Sequence, residues 1–150
     1  MGQSLVKNYM HIVFSTKNRE PLIFPPYETE LHSYMAGICA NYECQPIKIG
    51  GYNDHVHILC MLSRKVALMN FVKELKRESS SWIKTKDDSL MPFYWQDGYG
   101  WFSVSPSDIE KVSTYIANQH EHHSRYSFQD EYRKILKKYK VEYDERYVWD

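Results

Sequence analysis

Apolar and polar positions change period several times along the chain, and each change marks an element. Residues 8–16, NYMHIVFST, are rich in β-branched and aromatic side chains and predict a strand. REPLIFPP, 19–26, reads as a loop closed by two prolines. From Tyr27 to about Asn41, Leu31, Tyr34, Met35 and Ile38 recur at helical spacing. Residues 44–52 and 55–62 predict two strands joined at Tyr52-Asn53-Asp54. Gly50 and Gly51 mark a bend or a close backbone approach in the first. Residues 66–84 form the clearest helical pattern. Leu68, Phe71, Val72, Leu75 and Trp82 share one face, and Lys73, Arg77, Ser80 and Lys84 share the other.

After Pro92 the pattern predicts two short strands, about 93–96 and 99–104, turning at Asp97-Gly98. Ser105-Pro106-Ser107-Asp108 then reads as a helix start. Ser105 suits the N-cap, Pro106 the first helical position, and Asp108 the end of the dipole that favours negative charge. That helix is expected to run to about His122, and another covers about 128–140. The tail YDERYVWD is expected to be irregular or a short strand. The first six elements, β-α-β-β-α-β, match the ferredoxin-like split βαβ arrangement. The expectation is one α+β, RRM-like domain over residues 1–150. It has an antiparallel sheet with helices on one face and a C-terminal helix bearing Tyr115. Such a fold hosts many functions and decides none.

Composition narrows the classes. The chain has 150 residues, 43% hydrophobic and 25% charged, as ordinary globular domains have. No apolar run approaches the ~20 residues of a membrane helix, and the N-terminus lacks signal-peptide features. A cytoplasmic protein is expected. Cys39, Cys44 and Cys60 are odd in number and form no C-x-x-C pair, which argues for reduced core thiols. Nineteen basic residues balance nineteen acidic ones, so nucleic-acid binding would need a local patch. Phosphate-loop, dinucleotide, serine-hydrolase and H-E-x-x-H signatures are missing, so no nucleotide cofactor is expected.

Four groups can carry chemistry. In DHVHIL, His55 and His57 are two apart on a strand and face one way, while Val56 and Ile58 face the other. That is the geometry of a two-histidine metal platform, and equally of two surface histidines on a half-exposed strand. In TYIANQ, Tyr115 and Gln119 are one helical turn apart, a phenol nucleophile beside a neutral oxygen ligand, or a half-packed amphipathic face. His120, His122 and His123 read as solvated residues at a helix end or as a second ligand group. Lys73, Arg77 and Lys84, with Lys76 and Lys86 nearby, read as phosphate contacts or as a solvated face paired with Glu74 and Glu78.

Together, HIVFSTK, DHVHIL, FVKELKRESSSWIK, WQDGYGWFSVS and SPSDIEKVSTYIANQHEHH resemble, in order and spacing, a known family. It is the single-tyrosine HUH transposases of bacterial insertion sequences and their REP-associated relatives. The resemblance spans nearly the whole chain. It implies that His55, His57 and Gln119 hold Mg²⁺ or Mn²⁺ and that Tyr115 attacks single-stranded DNA. A 5′-phosphotyrosine would conserve the bond energy, so rejoining needs no ATP. It also implies a homodimer whose tyrosine helices can complete each other's sites, and recognition of hairpins at the transposon ends. Lys73, Arg77 and Lys84, with Tyr94, Trp95, Tyr99 and Trp101, are the candidate DNA contacts. Two other readings share the pattern: a domesticated REP-associated hairpin-binding protein without mobility, and a non-catalytic metal-binding ferredoxin-like domain.

Overall fold

A computed structural model describes residues 2–150. Its strands are β1 (Tyr9–Ser15), β2 (Gln45–Tyr52), β3 (His55–Met61) and β4 (Gly100–Ser103), and its helices are α1 (Tyr27–Asn41), α2 (Leu68–Lys84), α3 (Ile109–Ala117), α4 (Gln119–His122) and α5 (Phe128–Lys138). The strands form one antiparallel sheet in the order β2-β3-β1-β4. The expected α+β, ferredoxin-like arrangement is present, but helices lie on both faces of the sheet rather than on one.

Strand parity divides the chain's apolar residues between two layers. Ile12, Phe14, Val56, Ile58 and Cys60 face α1 and α2, where they pack with Leu31, Met35, Phe71 and Leu75. The opposite face carries His11, Val13, His55, His57 and Leu59. In the register, Val13 pairs with His57 and Ser15 with His55. The tyrosine-bearing α3 and the C-terminal α5 cover this second face. Ile116 packs on Leu59, and Phe128, Tyr132 and Leu136 pack on Val13 and Phe102. The sheet is therefore buried on both sides, with polar residues sealed into the second.

Three local expectations need correction. Residues 93–96 and 99–104 are not a hairpin. Both segments run along the same edge of β1: Trp95 bridges Thr16, and Gly100–Ser103 pair with Val13 to Met10. The excursion between them is held by Lys76, whose ammonium donates to the carbonyls of Gln96, Asp97 and Gly98 at 2.8, 3.0 and 2.7 Å.

The helix expected over 105–122 opens with a tight turn at Pro106–Asp108 and breaks at Asn118, which joins α3 to α4. Ser105 holds the N-cap position, but its hydroxyl meets Ser107 Oγ at 3.0 Å rather than capping the backbone. Leu68 of α2 is exposed, and Ser79 and Ile83 take part in the buried face instead. The tail 141–150 forms turns, with Val148 and Trp149 packed near Tyr132.

Candidate active site

His55 and His57 are completely buried, not displayed on a half-exposed strand. Each ring is held from behind. His55 Nδ1 lies 2.7 Å from Asp54 Oδ1, and His57 Nδ1 lies 2.8 Å from His11 Nε2. The Nε2 atoms thus point inward, His55 Nε2 at Gln119 Oε1 (3.0 Å) and His57 Nε2 at Glu131 Oε1 (3.0 Å). A carboxylate or imidazole behind a ligating ring fixes its tautomer and its orientation.

Tyr115 and Gln119 reach this centre because α3 sits directly on β2. A Cβ at Gly50 would come within 2.5 Å of the Ile116 carbonyl oxygen, so only glycine lets the helix approach this closely. Ile116 faces the sheet, and its neighbour Tyr115 is thereby set beside the histidines. The Tyr115 and His57 ring centroids are 5.7 Å apart. Despite the break at Asn118, Tyr115 and Gln119 still face the same way. The Tyr115 hydroxyl donates to Glu131 Oε2, and the Gln119 amide donates to the same oxygen at 3.0 Å.

Glu131 is thus the centre of the cluster, and it is 2% exposed. Periodicity alone did not single it out. The available signal was an acidic residue on the inward face of an amphipathic helix, between Phe128, Tyr132 and Leu136. His11 was missed likewise, a polar residue at the parity of buried Val13. Of the three later histidines, His123 Nε2 lies 2.9 Å from Gln119 Oε1 and 3.2 Å from Glu131 Oε1. His122 Nε2 is 3.4 Å from Glu131 Oε2, whereas His120 turns away to Glu28.

The electrostatics follow from this packing. Burial alone depresses the His55 imidazole, but the adjoining Asp54 and Glu131 carboxylates outweigh it and hold it up at about 9. Burial keeps His57 below its ordinary value. Burial, aided by His57, pushes His11 down to about 3. Burial disfavours the Glu131 carboxylate, yet His57, His123 and His55 hold it well below the usual carboxylate range. Burial, with Glu131 beside it, raises the Tyr115 phenol, so the resting tyrosine carries its proton.

A divalent cation suits these side chains. Ligand atoms of His55, His57 and Glu131 all lie within 4.8 Å of one another, with the Gln119 oxygen at hydrogen-bond distance from the first. Imidazole nitrogens with carbonyl and carboxylate oxygens are the donors of such sites.

A cleft of about 580 Å³ opens onto the cluster between α3 and α5. His11, Tyr115 and Glu131 lie in its wall beside Lys111, Lys134 and Lys138. The basic residues singled out on α2 lie elsewhere. That helix packs on the other sheet face, and Lys73 and Arg77 border a separate groove of about 410 Å³ with Tyr94 and Tyr99. Arg77 is engaged by Glu74, and Lys84 lies over the Tyr94 ring at 3.9 Å. Of the four aromatics proposed as DNA contacts, Tyr94 is 57% exposed, while Trp95 is buried against Phe14 and donates to Ser79. Tyr99 and Trp101 are half-buried. Among the described residues no helix is long and apolar enough to cross a membrane.

The chain is similar to known proteins over most of its length. The profile of the family described as "Transposase IS200 like" matches residues 4–119. The chain is 24% identical over 116 residues to the ISDra2 transposase TnpA of Deinococcus radiodurans, covering 74% of this chain and 83% of that protein. Its fold is similar to the crystal structure of a candidate transposase from Deinococcus radiodurans R1. The TM-score is 0.61 at 22% identity, over 79% of this chain and 96% of the other. It is also similar to a REP-associated tyrosine transposase bound to a REP hairpin. There the TM-score is 0.60 at 13% identity, over 82% and 73% of the two chains.

Proposed function

The chain belongs to the IS200-like transposase family, and from that premise we propose that it cuts and rejoins single-stranded DNA through Tyr115. The observation that carries this reading is the position of the Tyr115 phenol. It donates to one oxygen of a buried carboxylate whose other oxygen lies 3.0 Å from His57 Nε2. A nucleophile, two imidazoles and an amide oxygen converge at the end of a lysine-flanked cleft.

In the proposed reaction Tyr115 Oη forms a bond to the scissile phosphorus, and the bond from phosphorus to the 3′ oxygen breaks. The phenolic proton is released to water as the bond forms, while Glu131 Oε2, the atom the hydroxyl already faces, orients the phenol. The departing 3′ oxygen takes a proton from water. The product is a 5′-phosphotyrosine, and attack by a 3′-hydroxyl reverses the step without ATP. His55, His57 and Gln119 would hold Mg²⁺ or Mn²⁺, which when bound supplies charge neutralisation and alignment at the phosphate. Lys111, Lys134 and Lys138 would neutralise the backbone of the strand entering the cleft.

One structural relative is bound to a REP hairpin, and a hairpin beside the cleavage site is the recognition element proposed here. The exposed α2 surface with Lys73, Arg77, Lys84 and Tyr94 is the proposed contact for it. A homodimer is proposed on the family resemblance alone. The test is incubation with single-stranded DNA carrying the flanking hairpin and Mn²⁺, followed by denaturing electrophoresis. A covalent protein–DNA adduct is expected, lost in Tyr115→Phe while hairpin binding persists. An adduct that survives Tyr115→Phe would reject the nucleophile assignment.

A further inference from the structure

The hydrogen-bond partners of the histidines fix where their protons are. His55 Nδ1 faces the Asp54 carboxylate, and His123 Nδ1 faces the Tyr126 carbonyl at 2.7 Å. Both partners can only accept, so both Nδ1 atoms carry hydrogen. In neutral rings the Nε2 atoms then present lone pairs. Yet His55 Nε2 and His123 Nε2 both point at Gln119 Oε1, at 3.0 and 2.9 Å, and both lie close to Glu131 Oε1, at 3.4 and 3.2 Å. The Gln119 amide nitrogen is already spent on Glu131 Oε2, which confirms that its oxygen faces the rings. Lone pairs would thus converge on lone pairs in a buried site. Relief by protonation would instead bury two imidazolium charges beside the Glu131 and Asp54 carboxylates.

A cation among these atoms removes the conflict: the ligand atoms of His55, His57 and Glu131 lie within 4.8 Å of one another, those of His122, His123 and Glu131 do likewise, and Glu131 is common to both groups. We infer that His123 and Glu131 bind the same divalent metal as His55, His57 and Gln119, giving five protein donors and leaving one position open. This rests on the metal-assisted reading above and extends it. Both added residues lie beyond residue 119, where the family match ends. Glu131 then does two things with two oxygens: Oε1 meets the ion and Oε2 holds the Tyr115 hydroxyl.

Chemistry follows from the donor count. Three imidazoles, one amide oxygen and one carboxylate form a nitrogen-rich set, which favours Mn²⁺ and later transition metals over Mg²⁺. The single open position suits one phosphate oxygen and leaves no room for the several waters that Mg²⁺ retains.

The experiment uses the full chain, stripped with chelator and titrated with Mn²⁺ by calorimetry and electron paramagnetic resonance. Wild type is expected to bind one Mn²⁺ more tightly than Mg²⁺. His123→Ala and Glu131→Gln, each checked for an unchanged circular dichroism spectrum, are expected to weaken Mn²⁺ by at least about tenfold. Pulsed resonance on Mn²⁺-loaded wild type, which needs no variant to fold, is expected to count three imidazole nitrogens. Unchanged affinity in both variants, or two imidazoles by resonance, overturns the inference while the two-histidine reading stands. No Mn²⁺ binding by wild type overturns both.

Discussion

His11 Nε2 lies 2.8 Å from His57 Nδ1, with the two rings stacked at 5.0 Å between centroids. Burial and His57 keep His11 uncharged at neutral pH, its pKa pushed down to about 3. A neutral His11 that accepts at Nε2 leaves the hydrogen on His57 Nδ1, and His57 Nε2 is then free to act as a ligand. His11→Phe fills the space but removes the acceptor. It is expected to weaken Mn²⁺ binding by roughly 10–100-fold, as loss of a supporting partner does. His11→Gln, which can still accept, should recover part of that loss. Calorimetric titration of both variants checks this, and equal affinity in His11→Phe and wild type would remove His11 from the site.

Gly50 sets how closely α3 lies on the sheet. Its missing side chain admits the backbone of α3, since a Cβ there would meet Ile116 O at 2.5 Å and Ile116 Cγ2 at 2.8 Å. Gly50→Ala must push the helix away from the sheet. A cost of about 1–3 kcal/mol is expected, in the range of overpacked cores. Because Tyr115 follows the helix, adduct formation should fall more than stability alone explains. Urea melts paired with single-turnover adduct assays at a temperature where the variant is folded separate the two effects.

The parts of this molecule that repeat were legible in the sequence, and the parts that depend on one contact were not. Strand parity placed His55 and His57 on one side and Val56 and Ile58 on the other, as observed. Helical spacing placed Tyr115 with Gln119. The residues between these groups escaped, for a physical reason. Glu131 gains its meaning only when α5 folds across the sheet, and on its own helix it is one of two adjacent acidic residues, beside Asp130. His11 reads as another member of an apolar strand. The loop at 97–99 was misjudged because Asp97-Gly98 favours a turn locally, while Lys76 imposes a different path from twenty residues away. Such tertiary overrides of local preference leave no periodic trace.

Two basic surfaces on opposite sides of the sheet are expected to separate in solution. Lys111, Lys134 and Lys138 line the cleft that holds Tyr115, and Lys73 and Arg77 line the groove along α2. Alanine at the three cleft lysines should weaken binding of unstructured single strands and reduce the salt slope of log K by roughly 2. Hairpin affinity should change less. Lys73→Ala with Arg77→Ala should show the reverse. Fluorescence anisotropy at several salt concentrations, with a hairpin and an unstructured strand as separate probes, measures both. Equal losses on both probes for either set would show that the two surfaces are not distinct.

Tyr115 reaches the histidine cluster of its own chain, held by Glu131 and seated through Ile116 on Gly50. No element must be exchanged for nucleophile and histidines to meet. Catalysis in this arrangement requires an intact Tyr115 and an intact His57 in the same molecule. Tyr115→Phe and His57→Ala, each inactive alone, should therefore stay inactive when mixed, even if they form mixed dimers. If the tyrosine helix instead completed a partner's site, the mixture would pair an intact tyrosine with intact histidines. Adduct would then return, carried only by the His57→Ala chain. Mixing two chains of different length and reading adduct mass on a denaturing gel decides between them. Size-exclusion chromatography of the same mixture establishes whether mixed dimers were present to be tested.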